Sequence, residues 1–172
     1  MINISPIANK QEFDYFLKLL QSSFPKEEYR NIDEVERLFN DKTSLFKPSI
    51  IKNDNTIIGL ISSWKIDSDI TYYEHLAIEP SLRCGGIGSE IIEAIKAKHK
   101  TIVFECEIPN EEMSSRRLNF YLRHEAKIID KDYHQPPYRK EDKPTPMYLM
   151  YFGNKVEHTI AHKIAKIVYP SF

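Results

Sequence analysis

The stretch that most constrains the fold is Leu76 to Ser89, LAIEPSLRCGGIGS. Leu76-Ala77-Ile78 reads as the end of a strand, and Pro80 breaks it. Arg83-Cys84-Gly85-Gly86-Ile87-Gly88 follows as a glycine-rich turn headed by a cation. From Ile87 the period becomes helical, with Ile87, Ile91, Ile92 and Ile95 on one face. A strand that enters a helix through glycines aims free backbone N–H groups and the positive end of the helix dipole at one spot. That spot favours a phosphate.

The other bulk properties mainly exclude. A chain of 172 residues is expected to be one domain with a real core. Its formal net charge of -1 favours neither nucleic acid nor an anionic membrane. Two cysteines, Cys84 and Cys106, offer no disulfide framework and no CxxC site, and are expected to be free thiols in a reducing compartment. No apolar run approaches the ~18 residues of a membrane span. MINISPIANKQEFDYF has no basic segment leading into an apolar one, so no signal peptide is expected and the cytoplasm is the expected location.

In order, Met1 to Ile7 reads as a strand. A helix from Asn9 or Lys10 carries Phe13, Phe16, Leu17 and Leu20 and ends at Ser23-Phe24-Pro25. Lys26 to Arg30 is a charged connection. Ile32 to Phe39 is a second helix, capped by Asn31 or Asp33. Phe46 to Lys52 and Thr56 to Ile66 pair as a hairpin about Asn53-Asp54-Asn55, and Gly59 suggests a bulge. Ile70 to Ile78 adds a third strand to the meander. After the helix from Ile87 come a strand at Thr101 to Glu107, a helix at Glu111 to His124 and a strand at Ala126 to Ile129. The loop YHQPPY (Tyr133 to Tyr138), a strand at Pro146 to Phe152 and an amphipathic tail at Lys155 to Tyr169 complete the chain. The fold class is α/β, with a mixed six- to seven-stranded sheet and helices on both faces. The strand-helix-strand unit from Ile70 to Glu107 should be parallel and right-handed.

Two phosphate loops fail on the glycine turn. A dinucleotide fold lacks its third glycine, since Gly86-Ile87-Gly88 continues into Ser89-Glu90-Ile91. A Walker loop lacks its lysine before Ser89. What remains, Arg83-x-x-Gly86-x-Gly88 after Leu-Ala-Ile-x-Pro, resembles the pyrophosphate-binding motif of the GCN5-related N-acetyltransferases, or GNATs. The element order from about residue 2 to 152 is similar to that family's fold, so residues 1–152 are expected to be the acetyltransferase domain. Residues 153–172 are then a helical tail packed on it or on a second subunit, which leaves a homodimer open.

The resemblance implies acetyl-CoA as cosubstrate and an amine acceptor. It places the pyrophosphate on the backbone of Arg83, Cys84, Gly85, Gly86, Ile87, Gly88 and Ser89. It places the pantetheine arm along Leu76, Ala77 and Ile78, in a gap between splayed fourth and fifth strands. The thioester carbonyl would meet backbone N–H groups near a strand bulge, an oxyanion-type site. Phe120-Tyr121 is similar to the family's Phe-Tyr pair, which makes Tyr121 the expected general acid. Where the family has a glycine to end this helix, Glu125 stands instead. Asn110 matches an asparagine that contacts the pantetheine arm, and it equally suits a helix cap.

An alkylammonium must lose a proton before it attacks. Glu74 matches a position where some family members carry a glutamate base, usually acting through water, so the resemblance implies Glu74 or a water chain as the base. Strand alternation sets Glu74 with Leu76 and Ile78, and His75 with Tyr73 and Ala77. His75 competes if a bulge breaks that alternation, and Glu105 and Glu107 are further carboxylates near the cleft. Glu27, Glu28 and Tyr29, with Tyr138 from the YHQPPY loop, border the expected acceptor side and suit a cationic amine. His158 and His162 have an i, i+4 spacing but no third ligand, so no metal is expected. The rival to an enzyme is a non-catalytic acyl-CoA binder or sensor on the same fold.

Overall fold

The computed structural model describes residues 1–83 and 85–169; the Cys84 part of the glycine turn lies outside them. The elements are β1 (Ile2–Pro6), α1 (Lys10–Ser23), α2 (Ile32–Asn40), β2 (Phe46–Asn53), β3 (Thr56–Lys65), β4 (Ile70–Ile78), α3 (Ile87–Lys98), β5 (Thr101–Glu107), α4 (Glu112–Arg123), β6 (Lys127–Asp130), β7 (His134–Gln135), β8 (Thr145–Gly153) and α5 (Ile160–Val168). The sheet runs β1-β2-β3-β4-β5-β8-β6, with the two-residue β7 paired to β8. Only β4 and β5 pair in parallel; every other neighbour is antiparallel. The crossover through α3 separates this parallel pair from the tight hairpins.

Each face of the sheet carries its own core. On one, α1, α2 and α5 bury Phe16, Leu20, Val35 and Ile164 against Leu60, Trp64, Tyr72 and Leu149. On the other, α3 and α4 bury Ile91, Ile92, Ile95 and Leu118 against Ile61, Phe104, Met150 and Phe152. Val156, Ile160, Ile164 and Val168 of the tail all belong to the first core, so the amphipathic period of the tail is satisfied within this chain.

Two departures from regular geometry matter. In β4, His75 pairs with Ser62 and Tyr73 with Ser63, so Glu74 has no partner and forms a bulge. A second bulge leaves Ile58 unpaired, next to the Gly59 where one was expected. At the end of α4, Glu125 adopts φ +69°, and Ala126 N–H donates to Tyr121 O at 3.1 Å. That closes the turn a glycine normally provides, now with an L side chain in the left-handed region. The helix end that a glycine closes in the family is therefore kept with Glu125 in its place, at a cost in backbone strain.

The β4 bulge turns the Glu74 carboxylate toward Arg30, which is buried and 3.1 Å away. Trp64 Nε1–H donates to Glu74 Oε2 at 2.9 Å and the Tyr138 hydroxyl donates to Oε1 at 2.9 Å. Arg30 lies 4.8 Å from the Trp64 ring centroid and donates from Nη2 to Val168 O at 2.8 Å. One buried ion pair thus ties the α1–α2 connection, β3, β4, the loop after β7 and the tail together. Removing one charge strands the other, so Glu74→Gln should lower stability by about 3–5 kcal/mol in urea unfolding. Glu125→Gly should relieve the left-handed strain and raise stability by about 1 kcal/mol, roughly 2–4 °C in a thermal melt.

Candidate active site

β4 and β5 pair only from Ile70–Thr101 to Tyr73–Phe104, and the ladder stops at the Glu74 bulge. Beyond it the strands share no pairing, which opens a cleft in the sheet. Glu79 N–H donates to Ile58 O at 2.9 Å. Bonded residues alternate in an antiparallel ladder, so Ala77 is the next to bond β3, and Leu76 and Ile78 turn their N–H and C=O toward the cleft. Arg83 Nε donates to Ile78 O at 3.0 Å, which draws the arginine back along the same edge.

The glycine turn sits at the outer end of that edge. Gly85 and Gly86 have φ +88° and +86°, and a Cβ on either would meet nothing within 4 Å. They are needed for the sign of φ rather than for room. Gly86 is the N-cap of α3 and has no side chain to bond the first N–H groups of the helix, so those donors and the dipole face outward. Gly88 is helical, and a Cβ there would touch the Phe120 ring at 3.4 Å. Ile87 packs on the second core, and the Ser89 hydroxyl is committed to His124 Nε2 at 3.0 Å.

The bulge reassigns the faces of β4. Tyr73, Leu76 and Ile78 pack on the second core, whereas Glu74 and His75 both point to the first. Neither suits the role of base expected for it. Burial by itself raises the Glu74 carboxyl, but Arg30, with Trp64 and Tyr138 donating, brings it below the usual carboxylate range. His75 Nε2 donates to Glu28 O at 2.7 Å, so Nδ1 accepts from the Ser62 hydroxyl at 2.6 Å. Both ring nitrogens are spent, and burial lowers the imidazole pKa. These two side chains hold β4 to its surroundings.

Glu105, the first β5 residue past the last β4 pair, is different. Its partners are the Tyr133 hydroxyl at 2.6 Å, Gln135 Nε2 at 2.5 Å and the Tyr169 hydroxyl at 3.1 Å. All are neutral donors. Burial pushes its carboxyl up to about 7, with the phenols holding it down in part. Glu107, two residues on and on the same face, lines a cavity of about 490 Å³ with Glu28, Glu111 and Met147. Glu28 is raised by burial and by Glu107. Arg117 bonds Glu107.

On the opposite face of β5, Tyr121 packs its ring 4.8 Å from Phe104 and is partly exposed. Among the described residues its hydroxyl has no hydrogen-bond partner, and burial pushes its pKa up to about 12, so it keeps its proton at neutral pH. Asn110 lines the cavity beside Glu111; its Oδ1 accepts from Ser114 Oγ at 3.2 Å, while Glu111 is the actual cap of α4. Glu27 is exposed and Glu28 faces the cavity, but Tyr29 is buried in the first core and Tyr138 is spent on Glu74, so neither tyrosine is free for an acceptor. Cys106 is buried and burial raises its thiol to about 11.

Among the described residues no group of three or more His, Cys, Asp or Glu could hold a metal, and His158 lies ahead of α5 rather than on it. No helix among them is long and apolar enough to cross a membrane. Sequence reasoning missed Arg30 and Tyr169 altogether. Nothing local marks them, because both act on strands far away in the chain. Glu105 left a trace, a carboxylate at an inward position of an otherwise apolar strand.

Comparison with known proteins gives the same picture. The model of the acetyltransferase (GNAT) family matches residues 13–124. A GNAT-family protein from Bacteroides thetaiotaomicron is 40% identical, over 97% of this chain and 98% of its own, with a TM-score of 0.90. A GNAT-family acetyltransferase from Elizabethkingia anophelis, solved with acetyl-CoA bound, is 17% identical over 89% and 98% of the two chains, at TM-score 0.58. Spermidine N-acetyltransferase from Vibrio cholerae, solved with CoA and spermine, is 14% identical over 88% and 94%, at TM-score 0.63. A strand-splayed cleft, an uncapped helix start reached through left-handed glycines, and a family match over most of the chain agree: this chain belongs to the GNAT acetyltransferase family.

Proposed function

We propose that the chain transfers an acetyl group from acetyl-CoA to a primary amine of a small molecule or peptide, by direct attack and without a covalent enzyme intermediate. The observation that carries this is the unpaired β4 edge at Leu76 and Ile78 together with the uncapped start of α3. It fits the cosubstrate in two ways. The outward N–H groups at Gly86 and α3 suit a pyrophosphate, and the unpaired edge of β4 suits an amide-bearing arm laid beside it as an extra strand. When bound, acetyl-CoA supplies an activated thioester carbonyl.

The chain's own residues do the rest. The Glu74 bulge leaves backbone N–H groups at the apex of the cleft for a developing oxyanion. Tyr121, protonated at neutral pH, gives a proton to the leaving thiolate. Glu28, Glu107 and Glu111 at the cavity favour a cationic acceptor. The Bacteroides relative and the family match support a catalyst over a non-catalytic acyl-CoA sensor.

An amine panel assayed by release of free thiol tests the reading; acetyl-CoA binding without turnover on any amine would favour the sensor. Tyr121→Phe should lower kcat about 100-fold and leave the Kd for acetyl-CoA unchanged in calorimetry. Gly86→Ala should strain the φ +86° turn and weaken acetyl-CoA binding about tenfold, visible as a smaller thermal shift at fixed ligand.

A further inference from the structure

We infer that His124, at the end of α4, is a positioning residue for the phosphates of acetyl-CoA: it sets the direction of the Ser89 hydroxyl, and binding takes up a proton on its imidazole. This rests on the acetyl-CoA reading above and goes beyond it by naming a residue outside the glycine turn that acts on that turn.

Two helices meet there. Ile87, Gly88 and Ser89 open the first turn of α3. Ser89 N–H and Glu90 N–H both donate to Gly86 O, at 3.0 and 3.3 Å, while helix geometry leaves the N–H groups of Ile87 and Gly88 without an intrahelical acceptor. The end of α4 packs against this turn. A Cβ on Gly88 would touch the Phe120 ring at 3.4 Å, and the Phe120 and His124 ring centroids lie 4.7 Å apart. The His124 side chain is 17% exposed, and its Nε2 lies 3.0 Å from the Ser89 hydroxyl. The hydroxyl in the phosphate-facing turn of one helix is thus held by the last residue of another.

The direction of that bond depends on one proton. His124 Nδ1 faces Glu93 Oε1 at 3.4 Å. A carboxylate only accepts, so Nδ1 carries a hydrogen. In the neutral ring Nε2 then accepts, and Ser89 spends its hydroxyl proton on it. The lone pairs left on Oγ repel a phosphate oxygen. In the imidazolium Nε2–H donates to Ser89 Oγ instead. The hydroxyl proton is released to turn toward a phosphate beside the open N–H groups. The helix dipole adds to this coupling, because a cation beside a helix N-terminus is unfavourable alone and favourable once an anion sits there.

Among the described residues, the charged groups around the imidazole are Glu93 and Lys96 of α3 and Glu125 of the turn after α4. Lys96 Nζ donates to Glu93 Oε1 at 3.3 Å, to Glu125 Oε2 at 3.0 Å and to His124 O at 3.3 Å. The Lys96 bond, with that of His124, holds the Glu93 carboxyl below its usual range, and the Glu125 bond holds the Lys96 ammonium above its own. Of these residue types, the imidazole is the one that changes charge near neutral pH. An imidazole that is more readily protonated in the complex than in the free protein takes up a proton on binding. Affinity is then highest at low pH and falls as pH rises through the pKa of the complex.

Calorimetric titration with 3′-dephospho-acetyl-CoA tests this. The probe keeps the pyrophosphate and lacks the phosphate monoester, which itself titrates near pH ~6. Its Kd should rise about tenfold between about pH 5.5 and about pH 8, and the heat should vary with the ionisation enthalpy of the buffer in the sense of proton uptake. His124→Gln can offer Ser89 a donor that does not titrate, so the pH dependence and the uptake should both disappear while binding persists, which also reports a folded site. Ser89→Ala removes the hydroxyl and should abolish them likewise. A merely structural histidine would leave the uptake unchanged on substitution. A Kd of the unsubstituted protein that is flat across this range, or a pH dependence that survives His124→Gln, overturns the assignment. Uptake retained in Ser89→Ala overturns the relay through the hydroxyl. These outcomes leave the acetyl-CoA reading standing; absence of binding of both the probe and acetyl-CoA at every pH overturns that reading too.

Discussion

The cleft depends on one buried ion pair at one irregular residue. Glu74 is the extra residue of β4, and the bulge turns its carboxylate onto Arg30. A regular strand would carry the β4–β5 ladder further. The bulge ends it, and the two strands separate where the ladder stops. Burying both charges is costly unless each is well paired, and here the pair is completed by Trp64, Tyr138 and the Val168 carbonyl. These partners come from separate parts of the chain, so the charges can be satisfied only when those parts have converged. The geometry of the cleft is thereby linked to completion of the fold.

A division of labour between carboxylates follows. Glu74 has a cation and is kept ionised as a structural anchor. Glu105, across the apex, has only phenols and an amide, and burial raises its carboxyl. Two glutamates on neighbouring strands thus differ in chemistry because one guanidinium sits beside the first and not the second. The tail belongs to both arrangements: Val168 accepts from Arg30 and Tyr169 donates to Glu105. Its apolar period already says that it packs. Among the described residues of the tail, Val168 and Tyr169 connect that packing to the β4–β5 apex.

Much of the architecture was legible in the residues. Helical and alternating periods locate the elements from β1 to β8 within a residue or two, while α5 begins five residues after the start of the predicted tail helix and β7 is missed. That pair of residues is too short to show a period. The glycine turn was legible too, since Gly85 and Gly86 do take the left-handed conformation that their type allows. The β4 bulge was legible only as what the family resemblance implied, not from the residues of the strand. YYEHLAI alternates acceptably as a regular strand, a pattern that sets Glu74 with Leu76 and Ile78, on the face opposite to the one it occupies. At the turn after α4, Glu125 stands where the family has a glycine, yet it adopts the left-handed conformation, as the return of the chain into β6 requires.

By itself, the sequence determined the class of fold, the order of its elements and the phosphate-type helix start, because these rest on periodicity and on what glycine and proline allow locally. Tertiary structure alone decided which acidic residue is held by a cation and which by neutral donors alone. Protonation follows the charges and donors that surround a group, and those around Glu74 and Glu105 arrive from residues 30, 64, 133, 135, 138 and 169. No short window of the chain contains them together.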